Sequence, residues 1–161
     1  MKHNIVRINK IVLNNFKNVK KGIVEMPAYS GKELFSEKAD VLGLYGQNGS
    51  GKTSVVEALR FVKMLLSGEK LPADTKEYIA QGEEECEIDV SFSVAEEVQK
   101  ETVNYSVALK KDADGFVISH ERMTVVPRKE NIRAVESTLI DYQYDNEDVT
   151  FAPEYRYKKL V

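Results

Sequence analysis

Residues 46–53 read Gly-Gln-Asn-Gly-Ser-Gly-Lys-Thr. Three glycines, an ammonium and a hydroxyl at this spacing fit G-x-x-x-x-G-K-[ST] at every fixed position, the Walker A pattern of a loop that wraps phosphates. A triphosphate carries several anionic oxygens and must be approached by backbone with no side chain in the way. Gly46, Gly49 and Gly51 remove Cβ atoms and admit positive φ. The amides from Asn48 to Thr53 can then converge as an anion-binding nest, with Gln47 and Ser50 completing the wrap. Lys52 brings a mobile charge to the β and γ phosphates. Thr53 brings a hydroxyl to Mg²⁺, an ion that keeps most of its waters and takes few protein ligands.

Such a loop needs a strand to deliver it and a helix to leave from it. Val41-Leu42-Gly43-Leu44-Tyr45 is a continuous apolar run, and it predicts a strand buried on both faces. Beyond the loop, Val55, Ala58, Leu59, Val62, Leu65 and Leu66 share one helical face while Glu57, Arg60 and Lys63 fall elsewhere. The spacing predicts a helix over about 53–67, stopped by Ser67-Gly68 and adding its positive N-terminal end to the phosphate site.

The 161 residues are enough for one domain with a sizeable core. Hydrophobic content of 42% and charged content of 30% are those of a globular chain, and the net charge of −3 gives no general argument for nucleic acid. The one cysteine, Cys86, excludes an internal disulfide and sits on the apolar side of an alternating segment, so a buried structural thiol is expected. Residues 1–7 have no signal-peptide core, and no apolar run is long enough to span a bilayer. The expected location is the cytoplasm, with no membrane partner.

Around the loop the pattern is mostly that of strands. Residues 4–13 read as a strand whose phase slips near Asn9-Lys10, which predicts a bulge or a bend. Asn14-Asn15 is the expected turn before Phe16. Gly22–Met26 is a second short strand, and 27–39 a polar loop. Asp74-Thr75-Lys76-Glu77 resembles a capping box opening a short helix to about Ala80. Cys86, Ile88, Val90, Phe92 and Val94 then alternate with polar residues, as do Val103, Tyr105, Val107 and Leu109. Asp112-Ala113-Asp114-Gly115 is a turn, residues 116–125 form a returning strand, and a further pair runs over 137–144 and 148–152. The antiparallel strands thus span about 84–152.

Hydrolysis requires more than a cradle: a carboxylate must hold the metal from the far side and orient water. Leu139-Ile140-Asp141 is the nearest approach to a buried strand ending in acid, but it has two apolar residues before the Asp, and Tyr142 in place of Glu. Asp112–Gly115 matches the D-x-x-G element of GTPases formally, yet it falls where a hairpin turn is expected and no guanine-reading Asn-Lys-x-Asp follows. His3 and His120 have no nearby Cys or His partners, so structural positions are expected for both. No catalytic residue is assigned.

Gly46-x-Asn48-Gly49-Ser50-Gly51-Lys52-Thr53, together with Ile11-Val12-Leu13-Asn14-Asn15-Phe16-Lys17-Asn18, resembles the N-terminal part of bacterial AAA family and ABC-type ATPases of the SMC, RecF and OLD-like group. Only residues 11–18 and 43–54 carry specific motifs; the rest agrees in layout. The resemblance implies an α/β (α+β) P-loop NTPase fold, the N-terminal lobe of an ATPase head, with a central strand, phosphate loop and helix beside a largely antiparallel part. It implies ATP and Mg²⁺ as cofactors, Gly46–Gly51 around the phosphates, Lys52 on the β and γ phosphates, Thr53 on the metal and Ser54 near the α phosphate. It places Lys17 and Asn18 near the nucleotide; for Lys17 a solvated turn lysine is an equal reading. The group's Leu-Ser-Gly-Gly signature and Asp-Glu strand are not found in these 161 residues, and Gln81 and Gln143 match its metal-sensing glutamine by residue type alone. The expectation is one half of an ATPase: it would bind ATP, need a C-terminal half for turnover, and work as a head-to-head homodimer in repair or phage defence, with DNA a partner by family analogy alone. The alternatives are a nucleotide-binding module that never hydrolyses, and a small P-loop GTPase or kinase.

Overall fold

The computed structural model describes residues 5–26, 41–96, 99–113, 115–127, 135–144 and 148–151. Its strands are β1 (Ile5–Phe16), β2 (Val19–Glu25), β3 (Glu85–Glu96), β4 (Gln99–Asp112), β5 (Gly115–Pro127), β6 (Ser137–Gln143) and β7 (Asp148–Phe151). They form one antiparallel sheet in the order β2-β1-β3-β4-β5-β6-β7. Every neighbouring pair after β1–β3 is also consecutive in the chain, so the outer sheet is a meander. The expected phase slip is present, as a register shift between Ile8 and Lys10.

Period-two patterning decides which face is buried. The register sets Leu13 beside Ile88 and Ile11 beside Val90, then continues through Val107 and Tyr105 on β4, all at most 2% exposed. The intervening residues make the other face largely polar: Asp89, Ser106, Arg122 and Asp141 form one row across four strands, with Val12 of β1 at its end.

One α-helix, α1 (Lys52–Leu66), covers the apolar face. Its sequence is rich in good helix formers. Lys63 lies in the last turn, where a cation suits the dipole. The Ser67 hydroxyl donates to the Lys63 carbonyl at 2.7 Å, and the Glu69 amide to that of Met64 at 2.9 Å across Gly68, so the predicted stop is where the chain leaves the helix. Ala58, Phe61 and Val62 join Ile11, Leu13 and Phe16 in one core. Each large side chain so buried contributes about 1.5–3 kcal/mol. The buried stripe is rotated from the predicted face: Phe61 and Met64 are buried, while Leu66 is 49% exposed.

A 3₁₀ helix over Ala73–Tyr78 closes the same core, with the Tyr78 ring edge-on to Phe61 at 5.5 Å. The capping-box reading is corrected here. Pro72 precedes the helix, no side chain caps it, and the Thr75 hydroxyl turns back onto the Pro72 carbonyl at 2.6 Å. A buried threonine that satisfies itself this way takes no part in capping.

Two further expectations are corrected. The β1–β2 connection is Lys17-Asn18, not Asn14-Asn15, because Phe16 pairs with Val19 and buries its ring completely. Asn15 remains in β1, with φ 51°. The segment 41–45 is not a strand: it is irregular and exposed, with Val41 92% and Tyr45 95% accessible. An apolar run states a capacity for burial on two faces, but a strand also needs neighbours to take its hydrogen bonds, and none of the seven strands pairs with it. The expected loop at 27–39 and His3 lie outside the described residues.

Cys86 is buried as expected, at 2% exposure. Desolvation pushes its thiol up from 9.0 to about 12; a backbone hydrogen bond with Leu109 offsets part of this, and nearby Glu85 adds to it. Tyr105 is also raised, by burial and by its hydroxyl's 2.6 Å bond to Glu121. Both groups hold their protons more tightly when folded. The stability that Cys86 contributes is therefore complete below pH 9 and is lost as pH rises towards 12. Urea unfolding at a series of pH values should show stability falling across that window, with a shallower fall in Cys86→Ala. An unchanged slope in the variant would contradict the assignment.

Candidate functional site

The loop 46–51 sits at the N-terminus of α1, where the first amides of a helix have no intrahelical acceptor. Gly51 occupies the N-cap position with φ 87°, and no side chain caps the helix. The Val55 amide donates to the Gly51 carbonyl at 3.2 Å, which starts the helical ladder one residue after the left-handed turn. The Ser50 amide donates to the Gln47 carbonyl at 3.2 Å and closes the loop on itself.

Lys52 lies inside this curl. Its Nζ donates to the Gly46 carbonyl at 2.8 Å, the Gln47 carbonyl at 2.6 Å and the Ser50 hydroxyl at 3.2 Å. The ammonium thus faces the concave side, where the loop's carbonyl oxygens hold it in place. Thr53, on the first turn, is exposed. A lone hydroxyl beside open solvent suits a hard cation that keeps its water shell. Among the described residues no group of three His, Cys, Asp or Glu is placed to hold a metal ion.

The β1–β2 turn braces the loop from outside. The Asn18 amide donates to the Gly49 carbonyl at 2.6 Å and accepts from the Ser54 hydroxyl at 2.6 Å. Ser54 is buried at 3%, and its hydroxyl is spent on this contact. Lys17 points along α1, with Nζ 2.7 Å from the Glu57 carboxylate and 5.5 Å from the Tyr78 ring centroid. Val19 packs against the loop's last glycine, since a Cβ on Gly51 would lie 2.5 Å from Val19 Cγ2.

Gly46 to Ser54 and Asn18 therefore come together at one place, with Lys17 one turn further along α1. The other residues singled out in the sequence lie elsewhere. Asp141 is on the polar face of the sheet, 3.7 Å from His120 Nε2 and 3.9 Å from Arg122 Nε. Asp112 pairs with Gly115 in the β4–β5 hairpin. Gln143 pairs with His120 on β5. Gln81 lines a trough of ≈ 630 Å³ that also touches Lys17 and Asn18. Val19, Glu57 and Tyr78 escaped the sequence reading, because their roles depend on a hairpin turn meeting α1 and the 3₁₀ helix, both remote from it in the chain.

The glycine loop curls around a lysine at a helix start beside a mostly antiparallel sheet. The chain belongs to the AAA domains: residues 41–159 match the family model described as "AAA domain, putative AbiEii toxin, Type IV TA system". Family membership supports nucleotide binding. A comparison with curated proteins gave no match. Among the described residues no helix is long and apolar enough to cross a membrane.

The brace makes Gly51 the least replaceable residue of the loop. Gly51→Ala adds a left-handed strain of about 1–2 kcal/mol to the clash with Val19. Gly49→Ala, with φ 83° and nothing within 4 Å of the new Cβ, bears the strain alone. Urea midpoints should fall for both and further for Gly51→Ala. Equal midpoints would contradict the contact with Val19.

Proposed function

We propose that residues 46–53 bind ATP with Mg²⁺, and that the chain serves as the nucleotide-binding lobe of an ATPase head of the SMC, RecF and OLD-like group. The observation that carries this is the curl of the loop around Lys52 at the N-terminus of α1. An ammonium held by neutral carbonyls keeps its full charge for an anion. The amides of Gly51, Lys52 and Thr53 belong to the open end of a helix, where phosphate oxygens are favoured. In this reading Gly46, Gln47, Asn48, Gly49, Ser50 and Gly51 surround the phosphates. Lys52 neutralises the β and γ groups, Thr53 offers its hydroxyl to Mg²⁺, and the Ser54 amide is directed to the α phosphate. When bound, Mg²⁺ would supply charge neutralisation between the outer phosphates.

Turnover in this reading requires a carboxylate and a signature motif from a C-terminal half, and a second head docked face to face. The described carboxylates nearest in role are already engaged: Glu57 with Lys17, and Asp141 with His120 and Arg122. That engagement favours, as a second reading, a module that binds ATP and leaves it intact. The family's description points the biological setting towards a toxin of a toxin–antitoxin pair, and phage defence is a related proposal. DNA remains a partner by analogy alone.

Calorimetry with ATP and Mg²⁺ tests the central assignment. Lys52→Ala should lose binding by at least about tenfold, since a charge-assisted phosphate contact is worth roughly 1.5–3 kcal/mol. Its fold should persist, because Lys52 touches only the loop. Unchanged affinity in that variant would overturn the assignment.

A further inference from the structure

The β1–β2 turn lies outside the span matched by the family, which begins at residue 41. Its Asn18 nevertheless reaches the loop, with a 2.6 Å hydrogen bond to the Gly49 carbonyl. We infer that Asn18 is a positioning residue for the phosphate loop, acting on the nucleotide through Gly49 and Ser54 and not by touching it. The inference rests on the nucleotide reading given above.

Residues 41–50 are all exposed, so packing holds the loop only at its last glycine, Gly51, against Val19. Gly49 is at φ 83° with open space around it, a position with no steric reason to stay where it is. Its peptide group is nevertheless held at both ends. A trans peptide is planar, and its C=O and N–H point in opposite directions. The Gly49 carbonyl accepts from Asn18 Nδ2 at 2.6 Å, and the N–H of the same plane, on Ser50, donates to the Gln47 carbonyl at 3.2 Å. The plane cannot flip without breaking both bonds. The remaining side of the Asn18 amide accepts the Ser54 hydroxyl. One planar group thus ties the middle of the loop to the first turn of α1.

The chemistry requires an amide. A carboxylate at 18 would keep the acceptor for Ser54 and set an anionic oxygen against the Gly49 carbonyl. Alanine would release both ends. Asn18 is itself exposed and anchored by the Phe16–Val19 pair of the hairpin, so its replacement leaves the core untouched. What is lost is pre-organisation: the nucleotide then bears the cost of ordering the glycines. Because the brace acts on the loop as a whole, the loss is the same for a diphosphate and a triphosphate.

Calorimetry of the 161-residue chain with Mg²⁺ and either ATP or ADP tests this. Asn18→Ala should weaken both nucleotides by the same factor, about tenfold for two hydrogen bonds of ordinary strength. Ser54→Ala should weaken both by less, and the double variant should match Asn18→Ala alone, since Ser54 acts through Asn18. Amide NMR of the nucleotide-free chain supplies a second reading. Gly49 and Ser50 should shift and broaden in Asn18→Ala while the interior of α1 does not. Wild-type affinity in Asn18→Ala, or a loss confined to ATP, would overturn the inference; if Lys52→Ala still abolishes binding, the phosphate-loop assignment stands without it. Absence of nucleotide binding in the wild-type chain would remove both.

Discussion

The packing of α1 onto the apolar face of the sheet is the constraint from which the rest follows. A phosphate loop is a short glycine-rich curl with little structure of its own, and it has a direction only if the helix after it has one. Ala58, Phe61 and Val62 supply that direction by burying themselves against Ile11, Leu13 and Phe16. The same Phe16 ends β1 and places the two-residue turn that follows. One hydrophobic contact therefore aims the helix axis and sets the turn that touches the loop. The 3₁₀ helix reinforces it, with Tyr78 packed between Phe16 and Phe61 at 5.2 and 5.5 Å.

Polar contacts are layered on this frame in order of distance from the core. Lys17 meets Glu57 and the Tyr78 ring where the turn crosses the helix. Asn18 then spans Ser54 and Gly49, and Lys52 gathers the loop carbonyls beyond. Ser54 and Gly51 are buried at the base of the loop, while residues 46–50 are exposed at its rim. Such a gradient suits a binding loop: its base is rigid, and its rim can adjust to a ligand.

The legible parts were those with local causes. Alternation along 86–94 and 103–109 is a property of each strand, and of the residues it selects β3 buries Cys86, Ile88 and Val90 and β4 buries Tyr105, Val107 and Leu109. The bulge beside Asn9 was legible because a phase slip is written in the strand itself. The turn at the glycines was legible because Gly49 and Gly51 take the positive φ that a missing Cβ admits. What stayed hidden depended on partners. The run at 41–45 has the composition of a central strand, yet no described strand lies beside it. The capping box at 74–77 had the right letters, but burial of Thr75 turned its hydroxyl towards Pro72. Val19 carries no motif, and only the meeting of hairpin and helix shows it against Gly51.

Everything in this reading depends on the loop from Gly46 to Thr53 being the place where a nucleoside triphosphate binds. The most direct measurement is a titration of the ¹⁵N-labelled chain with ATP and Mg²⁺, followed amide by amide. Binding at the loop gives saturable shifts concentrated on Gly49 through Ser54, with smaller ones at Asn18 and none along β5 and β6. Saturable shifts confined to the polar face of the sheet, or no shifts at millimolar ATP, would contradict it.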